Sequence, residues 1–157
     1  MIYIPKITNG QKEGIMGLLS GLFSSKIDFP PIDPASDAAR RIAEVESQLG
    51  ELAGKVSDKL EVVPSEHAAY VFIGKPPKKF GLAWIHDGEV SGLNNLVQNH
   101  GMKPTEVEKV VDELRVVYEH ASDAQRFSTK VKDRVVVVTP SSQLEQQVHK
   151  IIDRITH

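Results

Sequence analysis

The spacing of apolar positions changes several times along the chain, and each change marks an element. Ile15, Leu18, Leu19, Leu22 and Phe23 recur at helical spacing with Gly and Ser opposite them, which predicts a short amphipathic helix. Asp28–Pro34 follows as DFPPIDP, where three prolines in seven residues exclude a helix and predict a stiff, extended linker. From Ala35 the helical spacing returns, with Ser36 or Asp37 as cap and Ile42, Val45, Leu49, Leu52 and Val56 as the stripe. The stripe is too short for a secure coiled-coil seam, and Gly50 and Gly54 weaken it further. It predicts a helix laid on a sheet or on a partner.

Leu60–Val63 predicts a short strand ended by Pro64. In the next run Tyr70 and Phe72 alternate with Val71 and Ile73, so both sides are apolar and both should be covered. In Phe80–His86 the large Phe80, Leu82, Trp84 and His86 share one side, and Gly81, Ala83 and Ile85 the other. A helix packed closely on the small side is expected. Gly74–Lys79, with Pro76 and Pro77, forms the loop of a hairpin between these strands. Leu93–Asn99 predicts a short helix stopped at His100-Gly101. Thr105 and Glu108 predict a capping box opening a long helix striped by Val107, Val110, Val111, Leu114, Val117 and Tyr118. Arg134–Thr139, with four consecutive valines, predicts a fully buried strand. Ser142 and Glu145 predict a second capping box ahead of the last helix.

This order predicts an α/β fold bordering on α+β. It is a small mixed sheet of three to four strands, a hairpin plus one parallel crossover strand, packed with helices and preceded by an N-terminal arm and helix. The path from Phe80–His86 to Arg134–Thr139 has the length of a crossover, so those strands are expected to be parallel. Residues 1–34 form the arm with its Pro-rich linker, and residues 35–157 a single α/β domain.

Composition narrows the function classes. A chain of 157 residues, 40% apolar, can bury one core, and with 6% aromatics Val, Ile, Leu and Ala must fill it. The net charge of -2 gives no global pull toward nucleic acid or anionic lipid. The absence of cysteine excludes disulfides, thiolate metal sites and a Cys nucleophile, and fits a cytoplasmic protein. No run approaches the ~20 apolar residues of a membrane span. The patch at Ile15–Phe23 is broken by Gly17, Ser20 and Gly21 and is not a secretory signal. Met16 offers an alternative start, but Gly21 stands where acylation wants Ser or Thr. The six histidines show no H-x-x-x-H pair, so neither a metal nor another cofactor is expected.

Parallel strands gather their entrances at one end of a sheet and their exits at the other. At the entrances stand Lys75, Lys78, Lys79, Arg126, Lys130, Lys132 and Arg134, with only Asp123 and Asp133 nearby, a basic end suited to an acidic protein surface. At the exits stand His86 and Asp87, and Thr139, Ser141 and Ser142. His86 could act as general base there, with a serine hydroxyl and Asp87 as orienter, or the next helix could hold an anion on its N–H groups. No Gly-rich loop or G-x-S-x-G elbow accompanies them. The long helix carries Glu106, Glu108, Asp112, Glu113 and Glu119, a poor surface beside phosphates, so sequence-specific DNA binding is not expected. The arm lacks a Lys/Arg face, which disfavours peripheral membrane contact. The chain is therefore expected to be a non-catalytic accessory or adaptor protein. It would dock to a larger assembly through Leu18, Leu19, Leu22 and Phe23 and through the basic end. The alternative is a small enzyme or a phosphate- or anion-binding protein working at the exits.

Overall fold

Alternating side chains in the central strands demand cover on both faces, and the fold supplies it. The computed structural model describes residues 29–76 and 79–156. Two helices, α1 (Asp37–Glu44) and α2 (Glu46–Lys55), precede the strands β1 (Leu60–Ser65), β2 (Ala68–Gly74), β3 (Phe80–His86) and β4 (Glu89–Gly92). Then come α3 (Leu93–His100), α4 (Pro104–His120), β5 (Phe127–Val131), β6 (Arg134–Val138) and α5 (Ser142–Thr156). The strands make one sheet in the order β4-β3-β2-β1-β6-β5. All neighbours are antiparallel except β1 and β6.

The sheet has six strands, not the three or four expected. Both extra strands close tight hairpins. Asp87 and Gly88 are both left-handed, at φ 53° and 76°, and turn β3 into β4, as a two-residue loop requires. Lys132, at φ 55°, lies in the Lys132-Asp133 loop that turns β5 into β6. β3 and β6 do run in the same direction, but β2 and β1 lie between them. β1 also continues through Pro64 to Ser65. β6 pairs with β1 only at Glu61 and Val62, so the missing N–H of Pro64 leaves no ladder partner unserved.

Two cores result. Ile42, Val45, Leu49 and Leu52 of the first helices pack on Val62, Val71, Ala83 and Ile85, the side on which Ala83 leaves room for close approach. The helical stripe is broken at Val45, whose φ/ψ of -116° and 17° separates α1 from α2. On the other face Tyr70, Phe72, Leu82 and Trp84 pack against Leu96, Leu114, Tyr118, Val148 and Ile152 of α3–α5. One corner of that face stays open: Val135 is 55% exposed. The valine strand is therefore not buried along its whole length: α2 covers the outer part of β5 and β6 on one face, and Val135 stands exposed on the other.

The Pro-rich segment is extended, and its partner is the edge of the sheet. The N–H of Ile32 donates to the Ser128 carbonyl, and the N–H of Ser128 to the Pro30 carbonyl, each at 2.9 Å. Pro31 and Ser128 form a parallel bridge. The segment thus covers the outer edge of β5, which would otherwise present unpaired backbone groups. Leu18, Leu19, Leu22 and Phe23 lie outside the described residues. Among the described residues no helix is long and apolar enough to cross a membrane.

Candidate functional site

Among the described residues, two of the larger concave regions open on the α3–α5 face, at opposite ends of the sheet. The first has a volume of about 440 Å³ and is walled by Phe29, Lys59, Lys75, Pro76, Tyr118 and Arg126. Behind it lies Glu61, fully buried. The run Leu-Glu-Val-Val alternates faces, so Glu61 must point the same way as Val63, under α4. The fold meets the resulting charge with four partners. Tyr118 Oη donates to Oε1 at 2.8 Å, Thr139 Oγ1 to Oε2 at 2.7 Å and Arg126 Nε to Oε2 at 2.9 Å. Lys59 Nζ stands 3.3 Å from Oε1.

Burial alone would raise the Glu61 pKa, but the Thr139 hydroxyl, the Arg126 charge, the Tyr118 hydroxyl and Lys59 together outweigh it. The carboxyl is held below its ordinary value and stays charged. Burial pushes Tyr118 well up, assisted by the Glu61 charge. Arg126 is fixed further by donating from Nη1 to the Ser122 and Ala124 carbonyls at 3.3 and 3.0 Å. One carboxylate thus ties β1, the end of α4 and the exit of β6 into a single wall.

The expected basic end is divided among different tasks. Lys75 and Lys79 sit exposed at the hairpin turn, where the N–H of Lys75 donates to the Lys79 carbonyl at 3.0 Å. Lys78 lies outside the described residues. Arg134 donates to the carbonyls of Ala53, Val56 and Asp58, so it closes the C-terminal end of α2. The stem of Lys132 lies against Gly50 of α2, where an added Cβ would sit 2.7 Å from Lys132 Cε. Because Phe127–Val131 forms a strand of its own, antiparallel to β6, Arg126 is carried away from the β6 entrance while Lys130 stays beside it. Lys130 ends up exposed opposite Val135, and the Arg126 side chain returns to the cavity through Glu61. Lys59, a cation of this cavity, was missed. Its signal was its position two residues before Glu61, on the same side of the strand.

The second region is a groove of about 470 Å³ between α3 and α5. Its floor includes Tyr70 and Trp84, and its lining includes His86 and Asp87. Tyr70 Oη and His149 Nδ1 lie 2.7 Å apart. Burial, with the charges of Glu145 and Asp153, pushes the Tyr70 pKa up to about 12, so the phenol stays neutral and shares a hydrogen bond with the imidazole.

His86 and Asp87 are brought together, with Nδ1 and Oδ2 3.1 Å apart and both side chains largely exposed. Ser141 and Ser142 are not brought to them. Three interstrand spacings, about 14 Å, separate β3 from β6, and β6 leads away into α5. Ser141, not Ser142, caps that helix by accepting from the Leu144 N–H at 3.2 Å. Glu145, the other half of the expected capping box, instead accepts from Ser65 Oγ at 2.8 Å. Thr139 is buried in the Glu61 network. The hydroxyl partner imagined for His86 is therefore elsewhere. Among the described residues no cluster of metal-ligating side chains converges. Comparisons with protein-family models, with curated proteins and with solved structures give no match to this chain.

Proposed function

We propose that the protein is a non-catalytic accessory or adaptor, docking to an acidic partner through its N-terminal arm and the cation-lined cavity together. The observation that carries this is the position of Phe29. It lines the same cavity as Lys59, Lys75 and Arg126, and its carbonyl accepts from Ser128 Oγ at 3.0 Å. The arm therefore leaves the fold beside the cations, from a base pinned to β5. A single partner can meet both surfaces, and the fixed base gives the second contact a high effective concentration. The open strip of Ser128, Lys130 and Val135 adjoins the same base, since these three share one side of β5 and β6.

Two variants test it in native extract, with quantified co-purification on the tagged full chain as reference. One lacks residues 1–28 but keeps 29–34, which hold β5. The other carries Lys75→Glu with Lys79→Glu. Both are expected to lose the same set of co-purifying proteins. Retention of that set by both variants would remove the basis for an adaptor.

A further inference from the structure

The groove between α3 and α5 has a charge lining opposite to that of the cavity at the other end. Asp87, Glu89 and Asp153 line it, no Lys or Arg does, and its remaining ionisable side chains are Tyr70 and the imidazoles of His86, His100 and His149. Its volume falls in the range of small-ligand sites, about 300–1,000 Å³. It does not suit the anion considered for this end of the sheet, and the α5 N-terminus that could have held one lies beyond β6.

Trp84 adds an independent pointer. It is 9% exposed, and buried indole N–H groups ordinarily have a partner. This one takes none among the described residues, yet it is not sealed off from solvent. Trp84 lines the groove, so an unpartnered donor belongs to a residue of its floor. An aromatic floor beside carboxylates is the chemistry that holds an organic cation, and a free N–H on that floor wants an acceptor atom nearby.

We infer that this groove binds a small organic cation, a protonated or quaternary amine carrying a hydroxyl or carbonyl a few bonds away. The carboxylates of Asp87 and Glu89 hold the charge at the mouth, and the Trp84 N–H donates to the oxygen. Such an amine can arrive as a free molecule or as a lysine side chain next to its own peptide carbonyl.

Trp84 is the sole tryptophan, so the intact chain reports on its own groove. Its fluorescence would be titrated with choline, as the free cation, and with N-acetyl-lysine methylamide, as the side chain, against acetate and phosphate at constant ionic strength. A saturable change with a midpoint below about 1 mM is expected for at least one of the cations. The tighter of the two identifies the source. Asp87→Asn with Glu89→Gln should weaken it at least about fivefold. By calorimetry, Trp84→Phe should weaken it as well while a far-ultraviolet spectrum confirms folding. No saturation by either cation at about tenfold higher concentration would overturn the inference. So would an equal response to the anions, or unchanged affinity in the doubly neutralised variant.

Discussion

The cavity at the Lys75 end and the groove at the His86 end share one face of one sheet, but different forces hold them in shape. The cavity is organised around an ion. Glu61 is out of solvent, and Arg126, Lys59, Tyr118 and Thr139 all point at it. The groove is organised around neutral contacts, the Tyr70–His149 bond and the Trp84 ring, with its charges at the rim. An error in the cavity strands a buried charge, whereas an error in the groove loses one hydrogen bond. The cavity wall is thus rigid by necessity, and the groove rim is free to change.

Glu61→Ala should have the largest effect on the fold. Removing one partner of a buried ion pair typically costs about 3–5 kcal/mol, because the other charge is left uncompensated. Urea unfolding would measure it. Glu61→Met combined with Arg126→Met should recover part of the loss, since an apolar pair of similar volume leaves no orphan charge. A loss under about 1 kcal/mol for Glu61→Ala would mean that the network is not what holds the wall.

The base of the arm gives the next largest effect. Deleting residues 1–32 removes the hydrogen bonds of Phe29, Pro30 and Ile32 to Ser128 and the packing of Ile32 on the first core. Relative to deletion of 1–28, a loss of about 2 kcal/mol is expected. Concentration-dependent association through the bared β5 edge should appear with it, readable by light scattering.

These two effects differ in how far the chain announces them. The linker was legible as extended, because proline fixes φ, but its docking on β5 was not, since β5 itself went unread. The signals were there. Phe127, Thr129 and Val131 alternate, and only the two residues Lys132 and Asp133 separate that run from the strand that opens at Arg134. Asp87-Gly88 between Ile85 and Val90 is likewise a hairpin signal, legible as a turn but not as the start of a further strand. Faces were easier to read than neighbours. The division of Tyr70 and Phe72 from Val71 follows from period two alone. Strand order depends on contacts distant in sequence, and with β1 and β2 intervening, His86 and Ser141 part company. Glu61 was legible only as a lone carboxylate in an apolar strand, and its partners come from three other elements.

A pH series separates the two regions at an intermediate scale. Glu61 has its folded pKa held below the ordinary 4.5. Its contribution is therefore complete above about that pH and is lost as pH falls through the lower folded value. Tyr70 is shifted the other way, from 10.0 to about 12, by burial first and by Glu145 and Asp153 next. The fold favours the neutral phenol, so this contribution is complete below pH 10 and fades as pH rises toward 12. Against wild type, Glu61→Gln should flatten the acid limb of stability and Tyr70→Phe the alkaline limb. At neutral pH Tyr70→Phe should cost about 1 kcal/mol, one hydrogen bond. If Glu61→Gln left the acid limb unchanged, the buried carboxylate would not be the group that titrates.

The smallest effects are expected at the two mouths, and their smallness is what makes them useful. Lys75 and Lys79 are exposed at the hairpin turn, and the Asp87 side chain is 84% exposed. Substitutions at such positions usually change stability by less than about 0.5 kcal/mol. Asp87 adopts a left-handed backbone at φ 53°, which penalises most residues but suits asparagine nearly as well as aspartate. Asp87→Asn therefore removes the charge and keeps the turn, whereas Asp87→Val should cost visibly more because a β-branched side chain resists positive φ. A thermal melt distinguishes these outcomes before any binding is measured. An unchanged melting temperature for Lys75→Glu, Lys79→Glu and Asp87→Asn would mean that lost binding reflects the lost charge and not a damaged fold. A clear drop in any of them would place that charge in the structural framework and narrow the contrast between the two ends of the sheet.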